Sequence, residues 1–362
     1  MKKFKILLVT TKALTLNIFF EKFINQNPFE LTLGCSDISN LKYKKKIDLN
    51  FESNFFILLN PFMVIKKFLD IRKKILIDNK FDLVITNNPL ASFYLRLSLF
   101  FSSQKIAYFV HGYRFHNAEK NYKYFIFYLI EKILSYRTQY YININQEDYF
   151  ITKKKFLVNP NKILLLPSVG IDVKKIKSFK KKKINKKFKI GVVAAYRKNK
   201  GYDDLIKVSE FLQNKANISI DCYGYDNSQK YQKIIDKKKI TNIKLYPFKK
   251  NLYNKFRSFD LFCHLSRREG MPISIIESIC LGIPVIAFNI RGCSDLIKNG
   301  YNGFLIEPYD LIKFKNVLLR IIKGDIDIKK IKKNCEVMNL KKHDKNYINT
   351  KLINFIKYAC QN

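Results

Sequence analysis

Acidic residues are scarce in this chain. Its 362 residues include 29 aspartates and glutamates against 68 lysines and arginines, a formal net charge of +39. So positive a surface points to an anionic partner, either nucleic acid or an anionic membrane face. No nucleic-acid module, RNA-binding aromatic signature or recognition-helix pattern is present, so no nucleic acid is expected and the membrane face is the preferred functional reading. The lysines are spread along the whole chain, as compositional drift in an AT-rich genome would also place them. Histidine is equally sparse, with four residues, and the seven cysteines are scattered without metal-like spacing. That speaks against a zinc site and for reduced, buried thiols in the cytoplasm. No stretch reaches the roughly 18 uncharged residues of a spanning helix. The apolar run behind the basic head Met1-Lys2-Lys3 is too short for a secretory signal and reads as a first buried strand.

What the chain does have is apolar content, 47% of its residues, enough for two well-packed cores at this length. Apolar strand-like runs alternate with helical periodicity throughout, the pattern of parallel α/β sheets. Strands are expected at 4–10, 29–35, 82–86, 106–110 and 140–145, with helices at 16–26, 62–77, 91–101 and 122–136. The helix over 62–77 carries Lys66, Lys67, Arg72, Lys73 and Lys74 beside apolar residues. It fits a helix lying on a membrane and an ordinary surface helix equally well. A lysine-rich run at 179–187 has no periodic apolar face and reads as a linker. It separates a first domain, 1–178, from a second, 188–342, with strands at 188–194, 219–224, 243–247, 260–265 and 284–288. Helices are expected at 203–213, 228–237 and 309–322, and the region 329–358 reads as helical and basic.

The most informative stretch is 266–308. Strand 260–265 is broken by Glu269-Gly270-Met271-Pro272, a helix opens near Pro272 and runs to Leu281, and Gly282 stops it before the next buried strand. A helix start presents free N–H groups and partial positive charge, which suit a phosphate, and Gly270 lets the backbone approach it. Glu269 lies in the loop. Glu277 lies inside the helix and leans back toward the same mouth. Amides for phosphate beside two carboxylates for hydroxyls are what a sugar nucleotide needs. Two glutamates eight apart mean little alone. The surrounding string is more specific: Glu269 to Glu277, then Asn289-Ile290-Arg291-Gly292, Asp295-Leu296-Ile297, Asn299-Gly300 and Asn302-Gly303-Phe304-Leu305.

That string resembles the donor-site signature of glycosyltransferase family 4, in its capsule, O-antigen and exopolysaccharide subgroup, and the resemblance extends over nearly the whole chain. It implies a GT-B fold: two Rossmann-like domains with parallel sheets facing a central cleft and a C-terminal helix, from about 343, crossing back to the first domain. It implies a retaining transfer of a hexosyl or N-acetylhexosaminyl group from a nucleoside diphosphate sugar to a lipid-linked saccharide, on the inner face of the plasma membrane. No Asp-x-Asp metal motif is assigned, and the scheme requires no metal and no cofactor beyond the donor itself. On the resemblance, Glu269 grips the donor sugar, Glu277 the ribose, and Gly270, Met271, Ile273 and Lys200 the diphosphate. The family's arginine falls on Ala195, a departure that leaves Arg197 as a candidate for the same phosphates. His111, in His111-Gly112-Tyr113-Arg114-Phe115-His116, sits at the carboxyl end of a strand and is expected beside the donor sugar. Arg114, His116 and Thr11 are acceptor-side candidates; Thr11 stands in a first loop that lacks the family's paired glycines. A nucleotide-sugar epimerase of the same fold and a non-catalytic nucleotide-sugar-binding scaffold are the alternatives.

Overall fold

The computed structural model describes residues 3–51, 61–115, 122–179, 187–249 and 252–362. They form two compact units, the first made of Met1–Gly170 with Lys345–Asn362 and the second of Ile171–Asp344.

The first unit is built on a seven-stranded sheet. Its strands are β1 Lys5–Val9, β2 Glu30–Cys35, β3 Lys46–Asp48, β4 Leu83–Asn87, β5 Ile106–Val110, β6 Tyr140–Asn143 and β7 Ile163–Leu165. All pair in parallel in the order β3-β2-β1-β4-β5-β6-β7. The five residues of β5, Ile-Ala-Tyr-Phe-Val, are all buried, as in a parallel strand covered on both faces. Helices α1 Ala13–Phe19, α2 Glu21–Gln26, α3 Pro61–Leu76, α4 Pro89–Ser98, α5 Tyr122–Ser135 and α6 Gln146–Phe150 connect the strands. The single helix expected over 16–26 is two helices. Phe20 leaves helical angles, φ −117° and ψ 6°, and sets its ring edge on Phe109, 5.2 Å between centroids. Helix α3 is the expected basic helix; Ile71 and Ile75 are its buried face, against Tyr94 and Leu95 of α4.

The second unit is built on a six-stranded sheet. Its strands are β8 Phe188–Val193, β9 Ile218–Gly224, β10 Ile243–Pro247, β11 Leu261–His264, β12 Val285–Phe288 and β13 Gly303–Ile306, parallel in the order β10-β9-β8-β11-β12-β13. Its helices are α7 Val173–Lys177, α8 Tyr202–Leu212, α9 Gln229–Lys237, α10 Tyr253–Phe256, α11 Ile273–Cys280, α12 Cys293–Leu296, α13 Leu311–Lys323 and α14 Ile328–Val337. The chain then enters α15, Lys345–Gln361, which belongs to the first unit and packs on α2 and β4. The helical region expected over 329–358 is thus interrupted, because Met338 turns extended and buried Leu340 and His343 hold the intervening turn in place.

The unit boundary falls earlier than the expected linker. Residues 171–178, expected with the first domain, join the second: Ile171 donates its N–H to the His343 carbonyl at 2.8 Å, and α7 packs against α11. Most of the expected linker, 180–186, lies outside the described residues.

Each sheet has the doubly wound order, in which the chain reverses direction beside its first strand. The reversal lies between β1 and β4 in one unit and between β8 and β11 in the other. Ligands of such sheets bind beyond the carboxyl ends of the strands at that crevice.

The first unit encloses a buried ion pair. Arg96 of α4 is fully buried and reaches Glu131 of α5 at 2.8 Å, its guanidinium lying 4.3 Å from the Tyr108 ring centre. Burial opposes the charge on Arg96, and Glu131 restores it. Removing one partner of such a pair leaves the other charge uncompensated and costs about 3–5 kcal/mol. Glu131→Ala is therefore expected to lower the stability of the first unit by that much, read as a fall in the urea midpoint.

Candidate active site

The second unit gathers its chemistry where its sheet reverses. Lys200 stands in the loop after β8, and Glu269 in the loop after the neighbouring β11. The two side chains meet, Lys200 Nζ to Glu269 Oε1 at 2.6 Å, with side chains 21% and 14% exposed. His264, the last residue of β11, places Nε2 3.1 Å from the same oxygen. Burial works against ionisation of Glu269. The His264 hydrogen bond and the Lys200 charge outweigh it and hold the carboxyl far below the usual carboxylate range. Glu269 is therefore an anion at any working pH.

The loop that carries Glu269 is pinned on both sides. Toward β8, Arg267 donates its backbone N–H to the Asn199 carbonyl at 2.9 Å, and Ser266 its hydroxyl at 3.4 Å. Gly201 has φ +77°, and a Cβ there would lie 2.0 Å from the Leu265 carbonyl oxygen. Toward β12, Arg291 Nε donates to the Glu269 carbonyl at 3.0 Å. Gly292 also has φ +77°, and a Cβ on it would lie 2.3 Å from the Gly270 carbonyl oxygen. Glycine is needed at both places for conformation and for space.

Helix α11 opens directly behind this loop. Pro272 is its N-cap and Ile273 its first residue, one position later than expected, and no side chain caps the first turn. Its leading amides and the positive end of its dipole keep their capacity for an anion. Met271 is buried beside them. Glu277, one turn in, accepts a hydrogen bond from the Tyr253 hydroxyl at 3.0 Å. Tyr253 in turn packs its ring on Phe179, 5.3 Å between centroids. Glu269 and Glu277 are thus oriented by different partners, one by Lys200 and His264 and one by a phenol.

Arg197 does not join this group. It forms an exposed ion pair with Asp226, Nε to Oδ2 2.5 Å, beyond the ends of β8 and β9. Tyr253 carried no sequence signal of its own, Arg291 stood only within the family string, and His264 could be singled out only as a histidine at a strand's carboxyl end. One Asp-x-Asp sequence does occur, Asp325-Ile326-Asp327, and it is a helix cap. Asp327 accepts from the backbone N–H groups of Lys329 and Lys330 at the start of α14.

In the first unit, His111 follows β5 as expected. Its ring stacks on Phe109 at 4.8 Å and meets Phe19 at 5.5 Å. Burial pushes its pKa down to about 4, so it is neutral near pH 7. Its Nε2 is buried without a hydrogen-bond partner among the described residues. Thr11 follows β1, and its hydroxyl accepts from Asn88 Nδ2 at 2.9 Å, across the point where this sheet reverses. Arg114 is exposed and lies over the Phe127 ring at 5.4 Å. His116 lies outside the described residues.

The glycosyl transferases group 1 family model matches residues 173–338, the body of the second unit. An Escherichia coli protein, UDP-Gal:alpha-D-GlcNAc-diphosphoundecaprenol alpha-1,3-galactosyltransferase, is 26% identical over 72% of this chain and 71% of its own length. CapM of Staphylococcus aureus, a capsular polysaccharide biosynthesis glycosyltransferase, is 28% identical over 67% of this chain and 66% of its own. Among solved structures, a glycosyltransferase from Rickettsia africae superposes with a TM-score of 0.73 at 17% identity, covering all of both chains. The Anabaena protein HepE in complex with UDP gives 0.72 at 16% identity, covering 98% of this chain and all of that one. Two Rossmann-like parallel-sheet units and these matches define a glycosyltransferase of the GT-B fold. Within that class, the chain's second unit is the part that matches the group 1 glycosyl transferases.

The contact between Gly292 and Gly270 makes a direct prediction. Gly292→Ala pushes the Glu269 loop off its position, costing about 1–3 kcal/mol in strain, read as a fall in the thermal unfolding midpoint.

Proposed function

We propose that this chain is a retaining glycosyltransferase of family 4. In this reading it moves a hexosyl or N-acetylhexosaminyl group from a nucleoside diphosphate sugar to a saccharide on a polyprenyl diphosphate. The process is surface polysaccharide biosynthesis on the inner face of a bacterial plasma membrane. The observation that carries the reading is Glu269, kept anionic by Lys200 and His264 and set beside the uncapped first turn of α11. The relatives named above support the substrate class: one carries UDP-galactose and an undecaprenol-linked acceptor in its name, the other capsular polysaccharide. They carry transferase names, which favours transfer over epimerisation or mere binding.

The residues divide the work by their chemistry. Glu269 accepts hydrogen bonds from donor-sugar hydroxyls, and Glu277, oriented by Tyr253, from the ribose hydroxyls. The backbone amides of Gly270, Met271 and Ile273 take up negative charge as the diphosphate departs; Pro272 has no N–H to give. Lys200 exchanges Glu269 for a phosphate oxygen when the donor arrives. Donors aimed at developing charge in this way are each worth about 10²–10³ in rate. His111, neutral and with Nε2 unpartnered among the described residues, is the first unit's candidate acceptor for a sugar hydroxyl. Retention then follows a front-side displacement, with the departing phosphate helping to deprotonate the acceptor hydroxyl. The donor is the only co-substrate this scheme uses, and it routes no step through a metal.

Glu277 lies on a helix surface, so its removal spares the core. Glu277→Ala is expected to keep the wild-type melting temperature and lose at least about a hundredfold in transfer or donor hydrolysis across a panel of nucleoside diphosphate sugars. Unchanged rates on a donor the wild type uses would remove the donor-site model.

A further inference from the structure

Helix α5 is apolar on both sides. Its inward side carries buried Leu134, with Tyr124, Phe127 and Tyr128 half-buried against the core, and Glu131 paired to the buried Arg96. Its outward face carries Tyr122, Phe125, Ile126, Leu129 and Ile133, and the line continues into Tyr136. These positions recur every three or four residues, so they form one stripe along the helix. Every one of the six is exposed, from 42% at Leu129 to 78% at Tyr136. The outward side of a helix in a globular protein is normally polar. A continuous apolar stripe on the outside marks a surface that is covered when the protein works.

The chemistry around the stripe identifies what covers it. Arg114 lies over the Phe127 ring at 5.4 Å, Lys132 over Tyr136 at 5.7 Å and Lys155 over Tyr128 at 5.9 Å. Lys132 also donates to the Lys155 carbonyl at 2.8 Å, which ties the segment 153–155, three consecutive lysines, to this helix. Tyrosines stand at both ends of the stripe, where aromatic rings with a polar tip favour the boundary between lipid and water. The next helix but one shows the same habit. Helix α3, packed on α4, which itself packs on α5, leaves Phe62 and Leu69 exposed beside exposed Lys66.

We infer that α5 is a monotopic anchor that lays its outward stripe into an anionic bilayer, with the surrounding cations at the headgroups. Its 14 residues make a rod about 21 Å long, which suits lying in the interface and is too short to cross a bilayer. No helix among the described residues is long and apolar enough to cross one. A second copy of the chain is the poorer occupant. A two-fold contact through this stripe would set the same cationic rim against itself. The inference deepens the lipid-linked acceptor reading by naming the surface that brings the enzyme to its substrate's membrane.

The absence of tryptophan makes the test direct. Phe125→Trp gives the chain one indole, in the stripe, and Tyr301→Trp gives it one in the second unit instead. Each variant is mixed with vesicles of equal parts phosphatidylglycerol and phosphatidylcholine, or of phosphatidylcholine alone. With the anionic vesicles, emission from position 125 is expected to move to shorter wavelength while that from position 301 stays fixed. Ile126→Glu with Leu129→Glu is expected to cut co-sedimentation with those vesicles about tenfold or more, with an unchanged circular dichroism spectrum. Three results overturn the inference: an unshifted position 125 in folded protein, a glutamate variant that pellets like the wild type, or a wild-type dimer that the glutamates split without vesicle binding. Donor hydrolysis, assayed without lipid, separates the two levels. An active enzyme indifferent to vesicles sinks the anchor alone, and a vesicle-bound protein inert toward every lipid-linked acceptor sinks the acceptor reading alone.

Discussion

The second unit depends on one carboxylate held as an anion in a place where water scarcely reaches. Glu269 is largely buried, and burial works to raise its pKa. Lys200 and His264 prevent that, and they arrive from the ends of two adjacent strands, β8 and β11. The charge therefore fixes more than its own ionisation. It ties the two loops that flank the sheet's reversal point, and the glycine contacts at Leu265 and Gly270 leave those loops no other packing. A ligand anion that takes Lys200 inherits a site whose backbone is already in position. That is the preorganisation an electrostatic catalyst requires.

The same sheet topology occurs twice in the chain and is used differently. In the second unit the reversal point holds charged groups in direct contact. In the first it holds neutral ones, Thr11 with Asn88, and the neighbouring strand end carries His111 among phenylalanine rings. The first unit instead holds a charged pair in its interior, where Arg96 and Glu131 clasp α4 to α5. Beyond that clasp, α5 still leaves a row of apolar side chains exposed on its far side.

Much of this was legible before any coordinates. Buried parallel strands are nearly continuous apolar runs, so Ile106–Val110 and Val285–Phe288 declare themselves, and glycine or proline punctuates their ends. The loop and helix around Glu269 were legible for the same reason. What stayed hidden depends on contacts far apart in the chain. The edge strand Lys46–Asp48 has no apolar run, because little covers it. The break at Phe20 has no glycine or proline to announce it; a ring from β5 causes it. The unit boundary at Ile171 rests on hydrogen bonding to His343, 172 positions later. Lys200 is 69 positions from the carboxylate it neutralises, and Tyr253 is 24 from Glu277. Helix α5 is apolar on both sides, so its spacing does not show which row of side chains packs on the core.

The most direct measurement is a crystal structure of the full chain with uridine diphosphate bound. The account predicts diphosphate oxygens within hydrogen-bond distance of the Ile273 N–H and of Lys200 Nζ, with Lys200 released from Glu269 and the ribose hydroxyls on Glu277. A nucleotide seated elsewhere, with Lys200 still paired to Glu269, would contradict it.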